Sequence, residues 1–203
     1  MELSVRRTEL LRELQLFQGI VERKNTIPIL ANILVEGEKG AGEIKLVATD
    51  LEVGLRSRCA AEVTTGGALT LPAKKLYEIV RALPETEIRI TQSKAESVNV
   101  AAERFSSRIQ TLPREDFPAL PEPTGNDSVS LSCEALREMV AKTQFAVTGE
   151  DTRYFLNGAL LVLTGTSMSL VATDGHRLAL VSARRQGAAA EGDVTTVEDD
   201  EEV

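Results

Sequence analysis

Apolar positions along the chain recur at two spacings. Residues 2–7 alternate, with Leu3 and Val5 between polar neighbours, which predicts a short strand. Residues 8–23 shift to a helical period: Leu10, Leu14, Phe17 and Val21 are spaced 4, 3 and 4, and Thr8 is placed to cap the start. Leu30–Glu36, Glu43–Ala48 and Val53–Val63 read as strands, with a hairpin turn in the glycine-bearing stretch 37–42. Leu69–Leu71 is a further strand. Pro72 follows at a helix start, where its missing N–H costs little, and Leu76, Ile79, Val80 and Leu83 form the stripe that Pro84 ends. Glu87–Thr91, Ser97–Ala101 and Ser107–Leu112 are three more strands. Residues 1–112 therefore read as one βαβββ unit written twice, an α+β domain. Pro113–Asp127 carries four of the seven prolines and reads as an extended linker. Residues 128–203 then supply a strand at Val129–Leu131 and a helix over Cys133–Ala146, capped by Ser132 with Leu136, Met139 and Val140 inward. Strands at Phe155–Leu163, Ser167–Ala172 and Leu178–Ala183 complete one further half, so the second domain is expected to be partial.

A repeat runs beneath this order. Leu46-Val47-Ala48-Thr49-Asp50 returns as Leu170-Val171-Ala172-Thr173-Asp174, an offset of 124. Leu11-Arg12-Glu13-Leu14 returns as Leu136-Arg137-Glu138-Met139 at 125, and Leu30–Leu34 is echoed by Leu156–Leu160 at 126. Three ordered matches in near-constant register argue for duplicated domains.

Charge and cysteine content narrow the possible chemistry. The chain of 203 residues carries 23 Lys and Arg against 31 Asp and Glu, for a net charge of −8. Seven of the acids crowd into residues 191–203, a stretch without Lys or Arg that reads as a solvated acidic tail. The remaining 24 acids against 23 bases leave the body near neutral, so only local arrangement can mark a nucleic-acid partner. Two cysteines, Cys59 and Cys133, lie 74 residues apart with no CxxC, which excludes a disulfide framework or a cysteine-rich zinc site. A single histidine, His176, excludes His–His metal motifs. The chain starts without a basic-then-apolar leader and has no apolar run of the ~18 residues a membrane span requires, so a cytoplasmic protein without a membrane partner is expected.

The joints of this order carry a resemblance. Thr26–Asn32 (TIPILAN), Ala48–Glu52 (ATDLE), Leu71–Lys75 (LPAKK), Thr111–Pro113 with Asp116–Pro118, Thr143–Phe145, Arg153–Gly158 (RYFLNG) and Ala172–Leu178 (ATDGHRL) together resemble the bacterial DNA polymerase III beta subunits, the sliding clamps. The matching segments run in family order almost from residue 1 to about residue 183, and the last two are the most specific. The resemblance implies a DNA-clamp fold of duplicated βαβββ units, with helices on one face of antiparallel sheets. It implies a head-to-tail homodimeric ring of three-domain subunits around duplex DNA, with DNA polymerase and clamp-loader subunits as partners. The implied role is a non-catalytic processivity factor in DNA replication, with no cofactor. Three repeats of this spacing need about 372 residues, so a third domain is expected to be missing from this sequence. The alternative is a truncated relative that presents binding surfaces to replication proteins without encircling DNA.

Candidate residues follow. A sliding ring grips phosphates without reading bases, which calls for Lys and Arg on its helices. Arg23-Lys24, Lys74-Lys75, Arg81, Arg137 and Lys142 lie at helix ends or on polar faces. On composition alone they are as well explained as solvated faces or as cations favoured at helix C-termini. By resemblance, Lys24 and Lys74 are DNA contacts, as are Gly149, Glu150, Tyr154 and Phe155 in a loop and strand start; Glu150 departs from the pattern, since an acid repels phosphate. Asp174 and His176 suggest a catalytic or metal pair, but the chain lacks a second histidine and a recognisable nucleophile setting. A plain turn with Gly175 at positive φ also accounts for that segment. The resemblance assigns Leu156, Thr173, Gly175, His176, Arg177 and Leu178 to one wall of an apolar groove for short peptide tails. The repeated Leu-Val-Ala-Thr-Asp reads as a strand end with Asp50 and Asp174 capping a turn. Ile109, in the last strand of the first domain, is assigned by resemblance to the subunit interface, with plain core as the other explanation.

Overall fold

The computed structural model describes residues 1–21, 27–94, 97–121, 129–149 and 153–184. The chain divides into two compact units, Met1–Pro123 and Thr124–Val203.

The first unit holds strands β1 (Glu2–Arg6), β2 (Asn32–Gly37), β3 (Glu43–Thr49), β4 (Gly54–Thr65), β5 (Gly67–Pro72), β6 (Glu87–Lys94), β7 (Ser97–Ala102) and β8 (Phe105–Gln110). Its helices are α1 (Arg7–Val21) and α2 (Ala73–Ala82). All eight strands join one sheet in the order β5-β2-β3-β4-β1-β6-β7-β8, and every ladder is antiparallel. The two halves interlock: β5, the strand before α2, pairs with β2 of the other half, and β1, the strand before α1, lies between β4 of its own half and β6 of the other. β1 lies along β6 with Leu3 opposite Ile90, and β5 lies along β2 with Leu69 opposite Val35. The expected doubled βαβββ is thus present, interlocked rather than side by side.

Alternation decides what faces where. Ile33 and Val35 turn to one face, where they meet Leu10, Leu14 and Phe17 of α1 and Leu76 and Val80 of α2 in the main core. Leu34 and Val47 turn to the opposite face and are covered by Ile29, Leu30 and Phe117. Part of the proline-rich segment therefore packs on the first unit. Arg56 donates to the carbonyls of Leu120 (2.9 Å) and Pro121 (3.1 Å), and Arg114 pairs with Glu36 at 3.2 Å. Gly54 makes room for this strap, because a Cβ there would sit 2.8 Å from the Leu120 side chain.

Thr8 lies inside α1 and bonds to Glu85 instead of capping the helix. Its neighbour Arg7 donates to the carbonyls of Val80 (3.2 Å) and Arg81 (3.1 Å), so the start of α1 satisfies carbonyls at the end of α2.

The second unit holds α3 (Cys133–Thr143) and strands β9 (Leu160–Leu163), β10 (Ser167–Thr173) and β11 (Leu178–Arg184), an antiparallel sheet in the order β11-β10-β9. Ser132 caps α3 by accepting from Ala135 N at 3.3 Å. Met139, Met168 and Leu170 form its small core. Three expectations change here. Val129–Leu131 forms no ladder among the described residues. Phe155–Leu163 begins as a 3-10 turn at Tyr154–Leu156 and becomes a strand only at Leu160. Val140 is 42 % exposed, so the inward stripe of α3 rests on Met139.

Candidate functional site

Two surfaces gather the candidate residues, one in each unit. In the first unit, α2 buries Ala73, Leu76 and Val80 and turns Lys74 and Lys75 to solvent in its first turn. A cation at a helix N-terminus works against the helix dipole, so the dipole does not explain this pair. Neither lysine forms an ion pair among the described residues. Several other cations on helices are engaged: Arg12 with Glu9 (3.1 Å) and Glu13 (3.0 Å), Lys142 with Glu138 (2.5 Å), and Arg81 over the Tyr77 ring at 5.3 Å. Exposed Arg137 on α3 joins Lys74 and Lys75 as a cation turned to solvent. Arg23 and Lys24 lie outside the described residues, as does Glu150.

Lys74 and Lys75, with Glu78, also line a largely apolar groove of about 670 Å³ whose other walls include Pro72, Ile79, Leu83 and Phe105. Ile109, assigned by resemblance to the subunit interface, has a side chain that is 1 % exposed and sits in the main core, on a strand at the edge of the sheet. Phe105, at the other end of β8, is 37 % exposed and opens into the groove. β8 is an edge strand, so its outer backbone edge and its exposed residues Phe105, Ser106, Arg108 and Gln110 are open to a partner.

The repeated pentapeptide builds its turn twice, once in each unit. Thr49 Oγ1 donates to Val53 O (2.9 Å) and accepts from Leu51 N (3.0 Å), while Asp50 Oδ1 accepts from Glu52 N (3.0 Å) and Val53 N (2.7 Å). In the second copy, Thr173 Oγ1 donates to Arg177 O (2.7 Å) and accepts from Gly175 N (3.1 Å). Asp174 Oδ1 accepts from His176 N and Arg177 N, both at 2.9 Å. The repeat is thus a folding device first. What sets the second copy apart is its surface. Asp174 Oδ2 takes Arg177 Nε at 2.8 Å, which aims the guanidinium over the Phe145 ring, 5.6 Å from its centroid. The backbone N–H groups of His176 and Arg177, then the Arg177 side chain, lower the Asp174 pKa from its ordinary 3.8 to about 2.

Gly175 holds φ +84, and a Cβ there would come within 3.2 Å of the Arg153 guanidinium. Leu178 is 63 % exposed beside exposed His176 and Arg177, Thr173 is half-buried, and Leu156 is 8 % exposed. Tyr154 and Phe155, on the 3-10 turn before Leu156, are 83 % and 72 % exposed, and Gly149 is also exposed. Phe145 enters the sequence reading only within the motif Thr143–Phe145, and Phe105 only as the start of the interface stretch Phe105–Ile109, neither with a site role of its own. Few aromatics occur in this chain, and an exposed one is conspicuous only once burial is known. No group of three His, Cys, Asp or Glu side chains is placed to hold a metal among the described residues. No helix among them is long and apolar enough to cross a membrane.

Comparison with known proteins places these surfaces in a family. Residues 1–121 match the family described as DNA polymerase III beta subunit, N-terminal domain, and residues 130–197 match its central domain. The chain is 40 % identical over 185 residues to the beta sliding clamp of Pseudomonas aeruginosa, covering 90 % of this chain and 49 % of that relative. Against the beta sliding clamp of Vibrio cholerae the identity is 36 % over 185 residues, covering 91 % of this chain and 50 % of that relative. The crystal structure of the DNA polymerase III subunit beta from Pseudomonas aeruginosa superposes with a TM-score of 0.84 at 39 % identity, over 92 % of this chain and 50 % of that one. The sliding clamp of Caulobacter crescentus gives 0.83 at 36 % identity, over 93 % and 52 %. The chain spans about half the length of the relatives it matches. With two domain matches in family order and the clamp fold in both comparisons, the chain belongs to the DNA polymerase III beta subunit family.

Proposed function

We propose that the chain works as a sliding clamp in DNA replication, a non-catalytic tether that holds a polymerase on duplex DNA. The observation that carries this is the Lys74–Lys75 pair, unpaired among the described residues and set where the helix dipole opposes it. Such a pair serves a polyanion that approaches from outside the fold. Lys74 contacts phosphate, joined by Lys24. Gly149, Tyr154 and Phe155 supply a second contact loop, from whose pattern the acid Glu150 departs. Loose, sequence-blind contacts suit sliding, because affinity then comes from counterion release and not from base edges. The groove at Phe105, Ile79 and Leu83 supports a subunit interface of a dimeric ring, with an apolar centre of the kind that carries binding energy.

The turn at 173–178 supports the second role. Leu156, Thr173, Gly175, His176, Arg177 and Leu178 form a wall against which a short apolar peptide segment from a polymerase or clamp loader docks. Exposed Leu178 and Phe145 supply its apolar surface and Arg177 a cation for the peptide's acidic groups. This surface also favours the second reading, an interaction module that captures such peptides without encircling DNA. Retention on DNA separates the two. Protein isolated from its own cells and loaded onto nicked circular DNA stays bound through a salt wash and is lost when the circle is cut. Equal retention on circle and line rules out topological tethering and leaves the interaction module.

A further inference from the structure

In the first unit, α1 and α2 lie on one face of the sheet, since Leu10, Leu14 and Phe17 of α1 share the main core with Leu76 and Val80 of α2. Arg7 at the start of α1 bonds to the end of α2, so the two helices run side by side. A polyanion that meets Lys74 and Lys75 therefore also meets the open face of α1. The exposed residues of that face are Thr8, Arg12, Gln15, Leu16 and Gly19, of which only Arg12 is charged.

Arg12 is not a free charge. Its Nε donates to Glu13 Oε1 at 3.0 Å, and its Nη2 meets Glu9 Oε2 at 3.1 Å. Glu9, three residues earlier, is an ordinary helical neighbour, but adjacent residues do not face each other on a helix. The bond to Glu13 therefore draws the guanidinium back toward the covered side of α1.

Glu13 itself is 5 % exposed, among the buried residues Leu10, Leu14 and Phe17 of α1. A carboxylate in that place costs stability unless it is paired. Ser57 of β4 donates to its Oε2, and Arg12 supplies the opposite charge. An apolar residue would fill the space without needing either partner, so packing does not account for the acid. The repeat supplies a comparison. Arg12-Glu13 returns as Arg137-Glu138 on α3. There Glu138 pairs with Lys142, one turn on, at 2.5 Å, and Arg137 forms no ion pair among the described residues. Val181 stands in the place of Ser57: each lies opposite the leucine that opens its pentapeptide, Leu170 and Leu46. Without a hydroxyl on the strand the acid is not held inward, and its arginine is left to solvent.

We infer that Glu13 is a positioning residue that withholds Arg12 from phosphate, so that the first unit grips DNA through α2 while the open face of α1 lets the backbone pass. Glu9 shares this task from the outer side of the helix. The inference rests on the sliding-clamp reading and adds a limit on grip to it. Each further arginine–phosphate contact releases counterions and tightens the hold on one place along the duplex. A protein that travels along DNA works with few such contacts, and the trio Glu9, Arg12 and Glu13 keeps one of them out of use.

Salt titrations of duplex DNA binding by the full chain test this. Glu9→Gln with Glu13→Gln keeps the side-chain shapes and removes both charges. It is expected to free Arg12 and to steepen the slope of log K against log salt by about 1. Adding Arg12→Ala is expected to return the slope to the wild-type value. Glu9→Gln alone leaves the Glu13–Ser57 bond intact and is expected to give a smaller change of the same sign. An unchanged slope in the folded double variant overturns the inference; if that variant does not fold, an unchanged slope in Glu9→Gln does so. A change that survives Arg12→Ala also overturns it, because the acids then act by their own charge and not through the arginine. Lys74→Ala with Lys75→Ala separates the two levels. If the lysine variant lowers the slope and the glutamate variants leave it alone, only this inference fails. If the lysine variant also leaves it alone, the DNA reading fails and takes the inference with it.

Discussion

Thr70 and Leu112 bond each other twice across the two ends of the eight-stranded sheet: Thr70 Oγ1 donates to Leu112 O at 2.6 Å and accepts from Leu112 N at 3.1 Å. Thr70 lies on edge strand β5 and is fully buried; Leu112 follows β8, the opposite edge. The contact stands where the pseudo-symmetry of the halves asks for a ladder, because β5 and β8 occupy the places of β1 and β4. One hydroxyl does there what a ladder does between β1 and β4. Thr70→Val keeps the shape and strands both Leu112 backbone groups. Urea unfolding is expected to show a loss of about 1–3 kcal/mol, and Thr70→Ser a smaller one. An unchanged midpoint in Thr70→Val contradicts this role.

The paired turns differ at one position. Leu51 holds φ 78 in the first copy, where the second has Gly175 at φ 84. A leucine is strained in that region and a glycine is not. Because Leu51 is 60 % exposed and little packing is lost, Leu51→Gly is expected to be neutral or to stabilise by up to about 1 kcal/mol. Gly175→Ala is expected to destabilise the second turn, since its Cβ also meets Arg153. Thermal melts of the two variants should move in different directions.

Asp174 sets an acid limit for the second turn. Its folded pKa lies below the unfolded one, so its contribution is fully present above about 4 and is lost as pH falls toward about 2. Two backbone N–H groups and the Arg177 guanidinium stabilise the carboxylate, and protonation releases all three. Asp174→Asn is expected to flatten the stability of the second unit across pH 4 to 2, followed by the chemical shifts of His176 and Arg177. A pH profile identical to wild type contradicts this.

The peptide wall makes a separate claim. Leu178→Ala and Phe145→Ala are each expected to weaken binding of a clamp-binding peptide by roughly 10-fold, the loss typical of an apolar anchor. His176→Ala is expected to weaken it less, because only part of an exposed imidazole is desolvated. Calorimetric titration checks this, and unchanged affinity in Leu178→Ala rules the wall out.

Much of this fold is legible in the sequence, for a physical reason. Helical spacing at Leu10, Leu14 and Phe17 and alternation through Ile33–Val35 report which face is buried, and burial is what these patterns encode. The second unit departs where a strand depends on a partner. Val129–Leu131 alternates as Leu3–Val5 does, yet a ladder also needs a neighbour, and β6 has no counterpart among the described residues of that unit. Ile109 shows a similar limit: an apolar residue in an edge strand suits core and interface equally, and its 1 % exposure puts the side chain in the core of this unit. The turn of 173–178 is legible from its repeat, but the placing of Arg177 over Phe145 joins residues 32 apart in sequence and leaves no local signal.

The central claim is that Lys74 and Lys75 face a phosphate backbone. It is tested most directly by the salt dependence of duplex DNA binding for the wild type and for Lys74→Ala with Lys75→Ala. Each lost phosphate contact lowers the slope of log K against log salt by about 1. The double variant is therefore expected to bind more weakly on every sequence, with a slope shallower by about 2. Unchanged affinity and slope contradict the claim and return the lysines to ordinary solvated surface.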